Sequence, residues 1–122
     1  MLNTPPVFSV YVAMLNLRNL IANGGVKAME QRNNEKAALL YKEIDENPSF
    51  RGAVEVEDRS NMNVTFLLND ESRTDAFDAM WKAAGIVGLP GHRSVGGYRA
   101  SIYNALPIES VQVLVDVMRK FN

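Results

Sequence analysis

From Val7 to Ala22 the apolar residues Phe8, Tyr11, Val12, Leu15, Leu17, Leu20 and Ile21 cover most of a helical circumference instead of one stripe. That pattern predicts a helix buried on several sides. Thr4-Pro5-Pro6 stands before it, with Thr4 the expected N-cap and the prolines suited to a first turn. Asn23-Gly24-Gly25 supplies residues that tolerate a left-handed break. A second helix then carries Val26, Met29, Ala37, Leu40, Tyr41 and Ile44 on its apolar side, with Glu30, Lys36, Lys42 and Glu43 expected to face water. Asn47-Pro48 stops it, and Val54 and Val56 open a period-two run. The clearest strand has Met62, Val64, Phe66 and Leu68 alternating with Asn61, Asn63 and Thr65, one face apolar and the other polar. Phe77, Met80, Trp81 and Ala84 form the stripe of a third helix, which Gly85 closes. Ile86, Val87 and Leu89 read as a short strand, Pro90 to Gly97 as a glycine-rich turn, and Tyr98 to Tyr103 as the returning strand. A last helix starts at Pro107 and buries Val111, Leu114, Val115, Met118 and Phe121. The predicted order is α-α-β-β-α-β-β-α, an α+β fold with a small, mostly antiparallel sheet and helices chiefly on one face.

The chain has 122 residues, 47% of them hydrophobic and 22% charged, enough to bury a core and consistent with a single domain. Thirteen basic residues against fourteen acidic ones leave a net charge of -1, which provides no general field for nucleic acid. With no cysteine and one histidine, thiolate chemistry and multi-histidine metal ligation are excluded, and a cytoplasmic setting is the expectation. The Val7–Ala22 stretch is interrupted by Asn16, Arg18 and Asn19, so it is read neither as a membrane span nor as a secretion signal. Its broad apolar surface and the polar face of the Met62–Leu68 strand both point to surfaces that take a further partner.

The densest chemistry lies in Gly91-His92-Arg93-Ser94-Val95-Gly96-Gly97-Tyr98-Arg99. Glycine freedom lets backbone N–H groups converge on an anion, and guanidinium forks grip carboxylate or phosphate bidentately. Arg99 shares a strand face with Ser101 and Tyr103, opposite Tyr98, Ala100 and Ile102. From spacing alone, an acid-binding turn and a plain hairpin with surface arginines are equally well supported. No hydroxyl or thiol with an orienting carboxylate accompanies His92, so ligand contact is favoured over nucleophilic catalysis. Asp45-Glu46 and Glu55, Glu57 and Asp58 read as solvated surface, and Phe77 and Trp81 as core. Lys27, Lys36, Lys42, Lys82 and Lys120 all fall at mostly exposed helical positions.

Three segments go further together: Asn3-Thr4-Pro5-Pro6, Arg59-Ser60-Asn61-Met62-Asn63-Val64-Thr65-Phe66, and Gly91 through Ala105. In this order they resemble the C-terminal part of the phosphoserine aminotransferase family, class V enzymes dependent on pyridoxal phosphate. The resemblance spans essentially the whole chain. It implies residues 1–122 form the small C-terminal domain of a fold type I enzyme, with the cofactor domain and its lysine outside this chain. It also implies a homodimer that passes an amino group between glutamate and 3-phosphohydroxypyruvate in L-serine biosynthesis, giving phosphoserine and 2-oxoglutarate. A related 4-phosphohydroxythreonine activity occurs in some members. By the same resemblance, Asn3 and Thr4 reach the cofactor phosphate of the neighbouring subunit. His92 and Arg93 hold the substrate's phosphate or distal carboxylate, and Arg99 holds the α-carboxylate. The isolated chain is expected to be inactive. The competing reading is a stand-alone α+β module that binds a small acidic metabolite through the same turn, and a purely structural domain leaves the clustered cations unexplained.

Overall fold

The computed structural model describes residues 3–121 and divides into two compact units, 1–32 and 33–122, each taken by itself below. In the first, helix α1 spans Val7–Ala22 as expected, but Thr4 is not its cap. Pro6 holds the N-cap position and no side chain caps the helix. The two prolines fix their own φ, and the helical bonding begins beyond them, with Val10 N–H donating to the Pro6 carbonyl at 3.1 Å. No residue of α1 is buried. Asn23 ends the helix, its side-chain amide donating to the Asn19 carbonyl at 2.7 Å. Gly24 and Gly25 then turn the chain at φ values of 95° and 71°, which side-chain-bearing residues rarely adopt.

Helix α2, Gly25–Glu46, contributes its residues from Asn33 onward to the second unit. There Ala37, Leu40, Tyr41 and Ile44 are buried, as predicted. Two expectations on this helix fail. Val26 is 74% exposed, whereas Lys36 and Glu43, expected in water, are 2% and 8% exposed. Both buried charges are satisfied, Lys36 by partners distant in sequence and Glu43 by one near and one distant partner. The Lys36 ammonium donates to the carbonyls of Ile102, Tyr103 and Leu106 at 3.0, 2.7 and 3.1 Å. The Glu43 carboxylate accepts from Asn47 at 3.0 Å and Arg119 at 2.9 Å. One turn before Lys36, Asn33 donates to the Asn104 side chain at 2.8 Å, so α2 grips the same stretch twice.

Three strands form an antiparallel sheet in the order β1-β2-β3: Phe50–Gly52, Asn63–Leu68 and Tyr98–Ser101. Phe50 lies opposite Leu68, and Thr65 opposite Arg99. The alternation of β2 is observed, with Val64, Phe66 and Leu68 buried and their neighbours half-buried. The strand predicted from Val54 and Val56 is not formed. The sheet takes Phe50–Gly52 instead, because Phe50 has a ring partner in the core, and Val56–Asp58 folds into a single 3-10 turn with Val56 exposed. The Ile86–Leu89 strand is also absent. Gly88 sits at φ 73°, breaking the extended run, and only an isolated bridge between Pro90 and Tyr98 survives. β3 ends at Ser101, short of the expected Tyr103, where the carbonyls of Ile102 and Tyr103 turn to Lys36. The observed order is therefore α-α-β-β-α-β-α, an α+β fold as expected with one strand fewer.

Helices α3, Thr74–Ala83, and α4, Ile108–Lys120, bring Phe77, Trp81, Val111, Leu114, Val115, Val117 and Met118 to the buried face. Phe77 is the hub of a ring cluster, with centroids 5.0 Å from Tyr98 and Phe121 and 5.1 Å from Phe50. Each ring so buried contributes about 1.5–3 kcal/mol relative to exposure. Gly85 ends α3 as predicted. At φ 77° its N–H bonds to the Lys82 carbonyl, while the Ile86 N–H reaches back to Trp81.

Candidate functional site

The turn from Gly91 to Gly97 is built by backbone bonds that close on themselves. Gly91 N–H donates to the Gly97 carbonyl at 2.8 Å, and the His92 carbonyl accepts from the N–H groups of Val95 and Gly96 at 2.9 and 2.8 Å. Two glycines are required by crowding. A Cβ on Gly91 would collide with the Gly96 carbonyl, and one on Gly97, at φ 65°, with Leu67 and the Phe66 carbonyl. At the base of the turn, the Leu89 carbonyl accepts from Arg99 N–H at 2.7 Å, so loop and β3 are joined on both sides of the reversal.

This frame exposes His92, Arg93 and Arg99. Among the described residues neither the Arg93 nor the Arg99 guanidinium has a hydrogen-bond or ion-pair partner, so both charges remain available to a ligand. Arg99 projects with Ser101 from the outer face of β3, the side that the alternation predicts, and lines a cavity of about 360 Å³. Ile86, Leu89, Ile102, Leu106 and Leu114 make most of its wall apolar, where a charge is screened less than in open water. His92 and Arg93 do not line it. Another cavity, of about 480 Å³, is lined by Val95, Gly96 and Gly97 of the turn together with Leu67, Asp78 and Tyr98, and His92 and Arg93 do not line it either. The turn thus presents His92 and Arg93 separately from the Arg99 cavity. Asn3 and Thr4 are exposed residues of the first unit.

The sequence reading missed the group that anchors this turn. Asp78 on α3 accepts hydrogen bonds from Trp81 at 3.0 Å, Lys82 at 2.9 Å and the Tyr98 hydroxyl at 2.9 Å. Burial alone would raise the Asp78 carboxyl, but these donors outweigh it and hold it below its ordinary value. Burial, and then the hydrogen bond to Asp78, push the Tyr98 phenol well above its ordinary range. The spacing of Asp78, Trp81 and Lys82 signals the helical contacts. Nothing in it signals Tyr98, twenty residues away.

Beside Arg99, the hydroxyls of Ser101 and Tyr103 both donate to the Asn63 side-chain oxygen at 3.2 Å, knitting the outer faces of β2 and β3 together. The lysines offer little for covalent chemistry. Lys36 has all three ammonium protons engaged, and Lys82 pairs with Asp78 while lying over the Trp81 ring. No group of three or more His, Asp or Glu side chains among the described residues is placed to hold a metal ion. No helix among them is long and apolar enough to cross a membrane.

Known proteins share this architecture closely. The chain is 71% identical to phosphoserine aminotransferase of Flavobacterium johnsoniae over 119 residues, which is 98% of this chain and 33% of that protein. The solved phosphoserine aminotransferase from Bacillus circulans subsp. alkalophilus superposes with a TM-score of 0.91 at 46% identity, covering 98% of this chain and 33% of the other. The pyridoxal-phosphate-bound phosphoserine aminotransferase from Trichomonas vaginalis does so with a TM-score of 0.86 at 39% identity, over 98% and 34%. The chain spans about a third of the length of the curated relatives it matches. The sequence pattern of the class-V aminotransferases runs through residues 1–114, and with the fold and identities above it shows that this chain belongs to that family.

Proposed function

We propose that residues 1–122 are the small C-terminal domain of a phosphoserine transaminase, the part that recognises the acidic ends of its substrates. The carrying observation is the pair of exposed guanidiniums, Arg93 and Arg99, with no partner among the described residues and carried on a turn in which Gly91 and Gly97 have no room for side chains. A substrate with two anionic ends needs two fixed cations, and presenting them on a rigid hairpin lowers the entropy lost on binding. In this reading Arg99 takes the α-carboxylate of phosphoserine or glutamate. Its partly apolar cavity strengthens that contact by lowering the local dielectric. His92 and Arg93 take the phosphate of phosphoserine and 3-phosphohydroxypyruvate, or the distal carboxylate of glutamate and 2-oxoglutarate.

The cofactor of this reading is pyridoxal phosphate, which when bound supplies the electron sink for amino transfer. This chain fits it only at one edge. Asn3 and Thr4 are exposed and carry donors suited to a phosphate, whereas Lys36, the buried lysine, is spent on three carbonyls. The cofactor-bearing lysine is therefore assigned to polypeptide outside these residues, and a homodimer in the cytoplasm completes the site. The exposed apolar surface of α1 supports a domain that is covered by further protein.

The test is steady-state kinetics of the full-length enzyme containing this chain. Arg99→Ala should lower kcat/KM about ten- to a hundredfold, as expected for removing a charged hydrogen-bonded contact. Arg93→Ala should raise KM for phosphoserine more than for glutamate. Unchanged kinetics in both variants contradict the assignment. Tight binding of phosphoserine by residues 1–122 alone, measured by calorimetry, would instead favour the stand-alone acid-binding module.

A further inference from the structure

His92 is held at two points, and together they decide which of its ring nitrogens carries the proton. The backbone N–H of Ser94 lies 3.3 Å from His92 Nδ1, and the Ser94 hydroxyl lies 2.7 Å from the same atom. A backbone N–H can only donate. Nδ1 must therefore accept, because a proton there would set donor against donor. In a neutral imidazole the proton then sits on Nε2, which has no hydrogen-bond partner among the described residues. The peptide behind the ring is fixed as well, its carbonyl holding the N–H groups of Val95 and Gly96.

We propose that Ser94 is a positioning residue, which locks the His92 ring in the Nε2–H tautomer and so keeps a hydrogen-bond donor directed to an incoming anion even when the ring is uncharged. This deepens the function proposed above and rests on it for the identity of the anion. Arg93 supplies charge at any accessible pH, whereas a histidine supplies a donor only if the correct nitrogen is protonated. Without the serine hydroxyl the ring keeps only the long 3.3 Å contact from the Ser94 backbone N–H, a weaker hold that lets it rotate and exchange tautomers more readily. An anion would then find the competent form only part of the time, and apparent affinity falls by that fraction.

The chain has a single histidine, so its ring nitrogens can be read without ambiguity. Two-bond proton–nitrogen correlation spectra of residues 1–122 should be recorded at about pH 8.5, well above the ordinary imidazole value. The expected result is an acceptor-type Nδ1 and a protonated Nε2 in the native chain. Ser94→Ala should shift both nitrogens toward the average of two tautomers, and Ser94→Thr, which keeps the hydroxyl, should restore them. Inorganic phosphate titrated into the same samples should bind about two- to fivefold more weakly to Ser94→Ala, with recovery in Ser94→Thr. A protonated Nδ1 in the native chain, or a Ser94→Ala spectrum identical to the native one, overturns the proposal. Should Ser94→Ala release the tautomer in residues 1–122 yet leave KM for phosphoserine unchanged in the full-length enzyme, where Ser94→Thr serves as control, the lock stands and the anion-binding reading is what fails.

Discussion

Helices α1 and α4 are both rich in large apolar residues, yet they end in opposite environments. In α4, Val111, Leu114, Val115 and Met118 lie on one side and are almost wholly buried. In α1, Phe8, Tyr11, Leu15, Leu17 and Ile21 run round the helix, and none is buried. An apolar stripe facing a polar one announces a partner within the same chain, because only one side needs covering. An all-round apolar surface announces covering that this chain does not provide. The contrast separates a core covered by its own chain in the second unit from a helix whose apolar surface is left exposed in the first.

The largest effect should come from the hub of the core. Phe77→Ala should destabilise the chain by about 3–5 kcal/mol in urea or thermal unfolding, since it removes a fully buried ring and leaves a cavity. Lys36→Met comes next, at about 1–3 kcal/mol, because the carbonyls of Ile102, Tyr103 and Leu106 lose their donor while remaining in the fold. Gly97→Ala should cost about 1–3 kcal/mol by forcing a left-handed φ on a residue with a Cβ that has no room beside Leu67.

A smaller effect, seen in its pH dependence, tests the polar rim of the same core. The Arg59 guanidinium hydrogen-bonds both oxygens of Asp45 at 2.7 and 2.6 Å and holds that carboxyl below its unfolded value of 3.8. A depressed carboxyl stabilises the fold above 3.8, and that contribution is lost as pH falls through the folded value. Unfolding midpoints measured from pH 6 down to pH 2 should therefore fall less steeply for Asp45→Asn than for the native chain. The smallest effect belongs to α1. Phe8 is 80% exposed, so Phe8→Ala should change unfolding free energy by less than about 0.5 kcal/mol. A larger loss would break the comparison, because it would mean that α1 is already covered. Lower self-association of Phe8→Ala in sedimentation would sharpen it.

The strand Asn63–Leu68, the Gly85 cap and the outward face of Arg99 were legible because each depends on spacing or on one residue's backbone preference. Where the reading failed, the deciding partner lay far along the chain. Lys36 reads as a surface lysine at its own position, and its buried ammonium makes sense only with carbonyls 66 to 70 residues away. Val54 and Val56 alternate as a strand should, but the register of Phe50 against Leu68 gave the sheet edge to their predecessors. Thr4 has the chemistry of a cap, yet two prolines displaced the first helical turn beyond its reach.

The order of residues by itself determined the α+β class, the boundaries of α1 and the cation-bearing turn, since periodicity, glycine placement and charge clustering act over a few residues. Only the tertiary structure decided that Lys36 is buried, that Asp78 anchors Tyr98 beneath the turn, and that Arg99 borders an apolar cavity apart from His92 and Arg93. Burial and hydrogen-bond satisfaction are properties of neighbours in space, and those neighbours are chosen by packing of the whole core.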